Sequence, residues 1–237
     1  QYTRQVVNAC FLEAAEPVSE WQRIHRRAGM IKRWLDRLPV VCFQVESAST
    51  DLIIPLGARR RWAGVSGRNI PSFELFVSPD WRGVRGVYAA DQPSFRNGNT
   101  VRGVRLEFKD GRLVRSAAVE GGLFLKKQLA MDAGASRVGE FSLTDRRFSR
   151  ISRFMANTLF DENYGGRFGN CHLALGSSYA NPYAGDPRRL SAETKERLGF
   201  NQSALHWDFV NTEKKRVTAV LSDGTRKVIY ENGEFPG

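Results

Sequence analysis

Three dipeptides, Asp110-Gly111, Asp223-Gly224 and Asn232-Gly233, lie among short runs rich in β-branched and aromatic residues. Asp-Gly and Asn-Gly tolerate the positive φ angles of two-residue hairpin turns. "VRGVRLEFKDGRLVRSAAV" (101–119) and "VTAVLSDGTRKVIY" (217–230) are therefore predicted as antiparallel hairpins, with a further turn at Asn232-Gly233. "VVCFQVES" (40–47) and "TDLIIPL" (50–56) read as strands. Helical spacing is rarer. Trp21, Ile24, Ala28, Ile31, Leu35 and Leu38 recur at three- and four-residue steps, which predicts an amphipathic helix over 19–38, capped by Ser19, stopped by Pro39 and basic on its outer face. Residues 121–134, 149–160 and 191–200 are the other helical candidates, the last with Ser191 as its cap. No internal repeat or low-complexity tract appears. The expected class is α+β, a largely antiparallel β-sheet with flanking helices.

A chain of 237 residues with 41% hydrophobic content can bury a sizeable core. It has no apolar run of about 18 residues and no signal-peptide order at its N-terminus, so a membrane span or secretion is not expected. Three cysteines without a C-x-x-C pair exclude a disulfide framework and a zinc ribbon, and fit a reducing cytoplasm. The net charge of +11 raises the question of nucleic acid, since a basic surface gains affinity by releasing phosphate counterions. Its basic residues are scattered over 23–27, 32–37, 58–61 and 145–150 without a recognition module, so a solvated basic surface is expected instead. The chain begins at Gln1 and is read as a piece of something longer.

"SALHWDF" (203–209) alternates an apolar set, Leu205, Trp207 and Phe209, with His206 and Asp208 on the opposite face of an extended chain. An isolated pair of this kind reads first as a half-exposed strand whose polar face meets water, so partners are needed. The chain has three histidines, and His172 and His206 both stand in motifs with oxygen donors. Tyr179 follows His172 in "CHLALGSSY" (171–179), and Asp161 and Glu162 precede it in "LFDENYGGRFGN" (159–170). Glu140 and Glu74 are lone carboxylates in the apolar segments "RVGEFSLTD" and "NIPSFELFVSP". A buried carboxylate is costly unless a cation or hydrogen bonds compensate it. Imidazole and carboxylate together suit divalent metals such as zinc, cobalt or manganese.

The order NIPSFELF, DAGASRVGEF, NTLFDEN, CHLALGSSY and FNQSALHWDF, from about residue 50 onward, resembles the catalytic part of the thermophilic-type metallo-aminopeptidases, the family of aminopeptidase T and aminopeptidase S. The resemblance implies a metal-ligand set of Glu74, Glu140, His172, Tyr179, His206 and Asp208. It implies two divalent ions (Zn, Co, Mn or Mg), peptide substrates with a free N-terminus, and a homodimer. Glu140 or Glu162 is the expected proton shuttle, and Glu162 or Asp161 the expected acceptor of the substrate's amino group. Two departures bear on pocket shape: the link YGGRFGN is extended, and Phe73 stands where the family often doubles the glutamate. Residues 1–45 are expected to be the helical tail of a preceding domain, and 46–237 the metallopeptidase catalytic domain. The alternatives are a metal-binding but inactive catalytic domain and a metal-dependent hydrolase of non-peptide amides.

Overall fold

The structure, a computed structural model, describes residues 1–236. Two helices lead in, α1 (Tyr2–Ala9) and α2 (Pro17–Asp36), followed by β1 (Val40–Glu46), β2 (Asp51–Pro55), β3 (Glu74–Val77), β4 (Arg85–Ala90), β5 (Ser94–Arg96), β6 (Asn99–Val101), β7 (Val104–Lys109) and β8 (Arg112–Ala117). Next come α3 (Gly122–Leu129), β9 (Val138–Thr144), α4 (Thr158–Asp161), β10 (Asn170–Gly176), α5 (Ala192–Leu198), β11 (His206–Asn211), β12 (Arg216–Leu221) and β13 (Arg226–Glu231). Every strand pairing is antiparallel. Seven strands form one sheet in the order β13-β12-β1-β2-β4-β7-β8, and four form a second in the order β11-β10-β9-β3. The class is α+β, as the hairpin signals require.

The Asp110-Gly111 turn joins β7 to β8 with φ of 50° and 75°, and Asp223-Gly224 lies in the turn between β12 and β13. Ser191 caps α5, its hydroxyl accepting from Thr194 N–H at 3.2 Å.

Three helices differ from expectation. α2 begins at Pro17, whose fixed φ and missing N–H suit the first helical position, so Ser19 is not its cap. It ends at Asp36, two residues short of Leu38, whose backbone is restricted by Pro39. α3 stops at Leu129 because the side chain of Asp132 takes the N–H of Gly134 into a turn. Of 149–160 only residues 158–160 join a helix, as part of α4, because the carboxylate of Asp161 captures the N–H groups of Met155 and Asn157, and Ala156 takes a positive φ of 51°.

The two sheets share one core. Phe43 of the large sheet meets Phe141 of the small one at 5.4 Å between ring centres. The Tyr88 hydroxyl donates to the carbonyls of Cys171 and Phe209, and that of Tyr230 to Thr144, which ties the layers together through buried hydrogen bonds. Residues 1–45 contribute Ala9, Phe11, Ile24, Ala28 and Leu35 to the same core. Among the described residues no helix is long and apolar enough to cross a membrane.

Candidate metal centre

The small sheet has chemically distinct faces. Leu75, Phe141, Leu173 and Phe209 turn toward the large sheet and join the core. Strand register places Glu140, Ala174 and Asp208 in one row across β9, β10 and β11, on the opposite face, with Ser142 and His172 in the next row. Close approach requires glycine beside this row. A Cβ on Gly139 would lie 2.4 Å from the carbonyl oxygen of Gly176, and Gly176 itself has a φ of 100°.

Five expected site residues converge here. His172 Nε2 lies 3.0 Å from Glu140 Oε1, 3.3 Å from Glu74 Oε2 and 3.8 Å from Asp208 Oδ1. His206 Nε2 lies 3.4 Å from Asp208 Oδ1. Two groups of donors, Glu74 with Glu140 and His172, and Glu140 with His206 and Asp208, each have their ligand atoms within 4.8 Å of one another. Glu140 belongs to both. Tyr179 follows β10, half-exposed, with its ring 4.5 Å from the His206 ring. The third histidine, His25, lies elsewhere, on α2 against the carbonyl of Val65 at 3.1 Å.

Each cluster histidine is oriented from behind by a main-chain carbonyl. His172 Nδ1 faces the Glu162 carbonyl at 3.2 Å, and His206 Nδ1 faces that of Ser177 at 2.8 Å. A carbonyl only accepts, so Nδ1 carries a proton in each ring and Nε2 points into the cluster. Second partners of this kind fix tautomer and orientation in metal sites.

The electrostatics are those of acids and imidazoles crowded together out of water. Burial and the charges of Glu140 and Asp208 push the Glu74 carboxyl up to about 8. Burial alone lowers the His172 pKa, but the hydrogen bond His172 donates to Glu140 and the charges of Glu74 and Asp208 outweigh it and raise it to about 9. His206 is raised to about 10 against the same burial effect, chiefly by Asp208. Burial acts to raise Asp208 as well, yet the two histidines and Arg96 hold it below its ordinary value. Glu162 is pushed well up by burial and by the charges of Glu74, Asp208 and Glu140. Glu140 Oε2 and Asp208 Oδ1 are buried without a hydrogen-bond partner. Acceptor atoms left bare among imidazoles suit a divalent cation, which would compensate the buried charge.

Asp161 is engaged differently. Its two oxygens accept the N–H groups of Met155 (2.6 Å) and Asn157 (2.9 Å), and burial raises it to about 6. It borders, with Glu162 and Asp208, a small cleft of about 10 Å³ closed by Pro93, Phe95 and Val210.

The description of one protein family, thermophilic metalloprotease (M29), matches residues 1–235. The chain belongs to this family. Among its M29 relatives, aminopeptidase AmpS of Bacillus subtilis (strain 168) is 30% identical over 247 residues, covering 98% of this chain and 58% of the relative. Aminopeptidase T of Thermus aquaticus is 30% identical over 242 residues, covering 97% of this chain and 57% of the relative. The solved structure of wild-type AmpT from Thermus thermophilus matches with a TM-score of 0.82 at 26% identity, over 93% of this chain and 56% of that one. The chain thus spans a little over half the length of the M29 relatives it matches.

Sequence reasoning missed the residues that support the M29 cluster. Asn201 Nδ2 donates to the carbonyls of Gly134 (2.8 Å) and Gly176 (2.6 Å), tying three separate motifs together behind Glu140 and His206. Asn163, one position after Glu162, supports Glu74. The only signal was position, each asparagine standing inside a motif quoted for other residues.

Proposed function

We propose that this chain is the catalytic portion of a metal-dependent aminopeptidase that removes N-terminal amino acids from peptides with the help of two divalent ions. The observation that most directly supports this reading is the membership of Glu140 in both donor groups, which would let one carboxylate serve two neighbouring ions. Glu74 and His172 would hold one ion and His206 and Asp208 the other, with the Tyr179 phenol beside His206. Zinc, cobalt, manganese and magnesium are the candidate ions, imidazole nitrogens favouring the first three.

When bound, such a pair of ions supplies Lewis acidity and a water of lowered pKa. The protein's own residues do the rest. Glu162 adjoins the cluster, is not held by both oxygens, and keeps a proton to unusually high pH, so it is the residue assigned to proton transfer toward the leaving amine. Asp161 and Asp208, which border the small cleft beside Glu162, would offer negative charge to the substrate's free ammonium group. Asp161 acts there mainly by shaping the loop 155–161, since its oxygens are already engaged. Tyr179, whose ring lies 4.5 Å from that of His206, is the sixth residue assigned to the ions. The family resemblance supports a homodimer, and three free cysteines support work in the cytoplasm.

Hydrolysis of a leucyl amide by chelated and metal-restored protein, with His206→Ala in parallel and bound ions counted, tests this function. Turnover restored by metal and absent in the variant is expected. Two bound ions without turnover would mark a chain that needs further residues for activity, and no bound ion would sink the reading. Cleavage of an amide whose α-amine is blocked, at an equal rate, would point to a non-peptide amidase.

A further inference from the structure

Glu74 opens an edge strand. β3 pairs with β9 within its sheet, and on its outer edge Phe76 alone exchanges backbone hydrogen bonds with Ala63, at 2.9 and 3.1 Å. Phe73 packs against Trp21 and the Ser142 hydroxyl donates to Glu74 Oε2 at 3.2 Å, while the main chain at the start of β3 is held by the carboxamide of Asn163. Its Oδ1 accepts from the N–H of Phe73 at 2.6 Å and from that of Glu74 at 3.1 Å, and its Nδ2 donates to the Leu159 carbonyl at 2.9 Å. Asn163 is fully buried.

The same turn also reaches His172. The carbonyl of Glu162, next in the chain, faces His172 Nδ1 at 3.2 Å and accepts from Asn170 Nδ2 at 2.9 Å. Residues 162 and 163 therefore hold both Glu74 and His172 from behind, while His206 is held from elsewhere, by Ser177. The two donor groups stand on one sheet and share Glu140, but the segments that back their histidines are separate.

We infer that Asn163 is a positioning residue for one half of the cluster: it sets Glu74 against His172, and so governs the ion held by that pair without governing the ion held by His206 and Asp208. This rests on the two-ion reading above. A residue that acts only through ligand orientation typically changes metal affinity about 10- to 100-fold.

The test is stepwise titration of metal-free protein with Zn²⁺ and with Co²⁺, the latter followed by its visible absorption, alongside thermal unfolding of the same samples. Asn163→Ala is expected to weaken one of two ions by about 10- to 100-fold, to leave the other at its wild-type affinity and to change the cobalt spectrum. Asn163→Asp keeps an acceptor oxygen in place and is expected to retain wild-type affinity or better. Asn163→Ser, too short to reach both amides, replaces the alanine variant if that one does not fold. Asn211→Ala is the control: it removes another buried asparagine, which bonds to the Ala89 carbonyl, and is expected to lower the unfolding temperature with both affinities unchanged. Equal weakening of both ions by Asn163→Ala, or a lowered unfolding temperature with neither affinity moved, overturns the inference. Loss in Asn163→Asp as large as in Asn163→Ala overturns the acceptor role. A wild-type chain that binds no divalent ion overturns the two-ion reading itself, in an arm distinct from the variants.

Discussion

Glu140 and Asp208 face each other across Ala174, each directly paired with it on neighbouring strands of one antiparallel sheet. Ala174 is fully buried, and its single methyl leaves room between the two carboxylates. Ala174→Leu would push added methylenes into that room, where overpacking typically costs about 1–3 kcal/mol. The expected result is a folded chain of modestly lower stability that holds fewer than two ions, checked by elemental analysis after dialysis. Retention of two ions would show that this row is not the floor of the cluster.

The shared carboxylate supports the fold with and without metal, for different reasons. In metal-free protein Glu140 Oε1 accepts from His172 Nε2 at 3.0 Å, so Glu140→Gln replaces a charge-assisted bond to a buried imidazolium by a neutral one and lowers the unfolding temperature. With saturating zinc the gap between the two proteins widens, because the wild type gains stability from ions that the variant binds poorly. Unfolding curves with chelator and with zinc check this. An equal gap under both conditions would remove Glu140 from both ion positions.

The pH dependence of metal-free protein follows from three raised pKa values. Glu74 near 8, His172 near 9 and His206 near 10 all exceed the ordinary values of about 4.3 for Glu and 6.5 for His, so the native state binds protons more tightly than the unfolded chain. Their contribution to stability is complete below the unfolded pKa values and is lost as pH rises through about 8 to 10. Metal replaces those protons, so ion binding releases protons at neutral pH and strengthens as pH rises. Calorimetry in buffers of different ionisation enthalpy counts the release. Zero release at pH 7 would contradict the protonated cluster.

Glu162 and Asp161 are neighbours with separable effects. Glu162→Gln is expected to lower kcat by about 10²- to 10⁴-fold, the usual worth of a positioned proton-transfer group, with little change in unfolding temperature. Asp161→Ala leaves the N–H groups of Met155 and Asn157 without their acceptor and is expected to cost about 1–3 kcal/mol of stability. Its metal content should stay at the wild-type level. Steady-state kinetics and unfolding on the same preparations distinguish the two, and the reverse pattern would exchange their roles.

The sheets were legible because hairpin turns need positive φ, which Asp110-Gly111 and Asp223-Gly224 advertise by residue type. Glu74, Glu140, His172, His206 and Asp208 were legible as candidates because acids and imidazoles in apolar strands demand partners, and as a set only through the resemblance of their motifs to one family; the fold brings these five together. The segment 149–157 was not legible. Its apolar spacing is compatible with a helix, and only the long-range folding of Asp161 back onto Met155 and Asn157 denies it one. Asn163 and Asn201 escaped notice for a related reason: a buried amide that holds main-chain groups has the same spelling as an exposed one.

β10 is buried along its whole length, from Asn170 to Gly176. A strand covered on both faces keeps no polar-out alternation to record its alignment, so the frame is set instead by the irregularity at Ala174/Leu175 and the tight passage at Gly176. A slip of one position would turn His172 into the core and deliver the Cys171 side chain to the carboxylates. The centre would then offer sulfur where it now offers imidazole, and its taste in metals would shift from borderline toward soft ions. Choice of element in this chain is thus a matter of strand alignment as much as of residue identity.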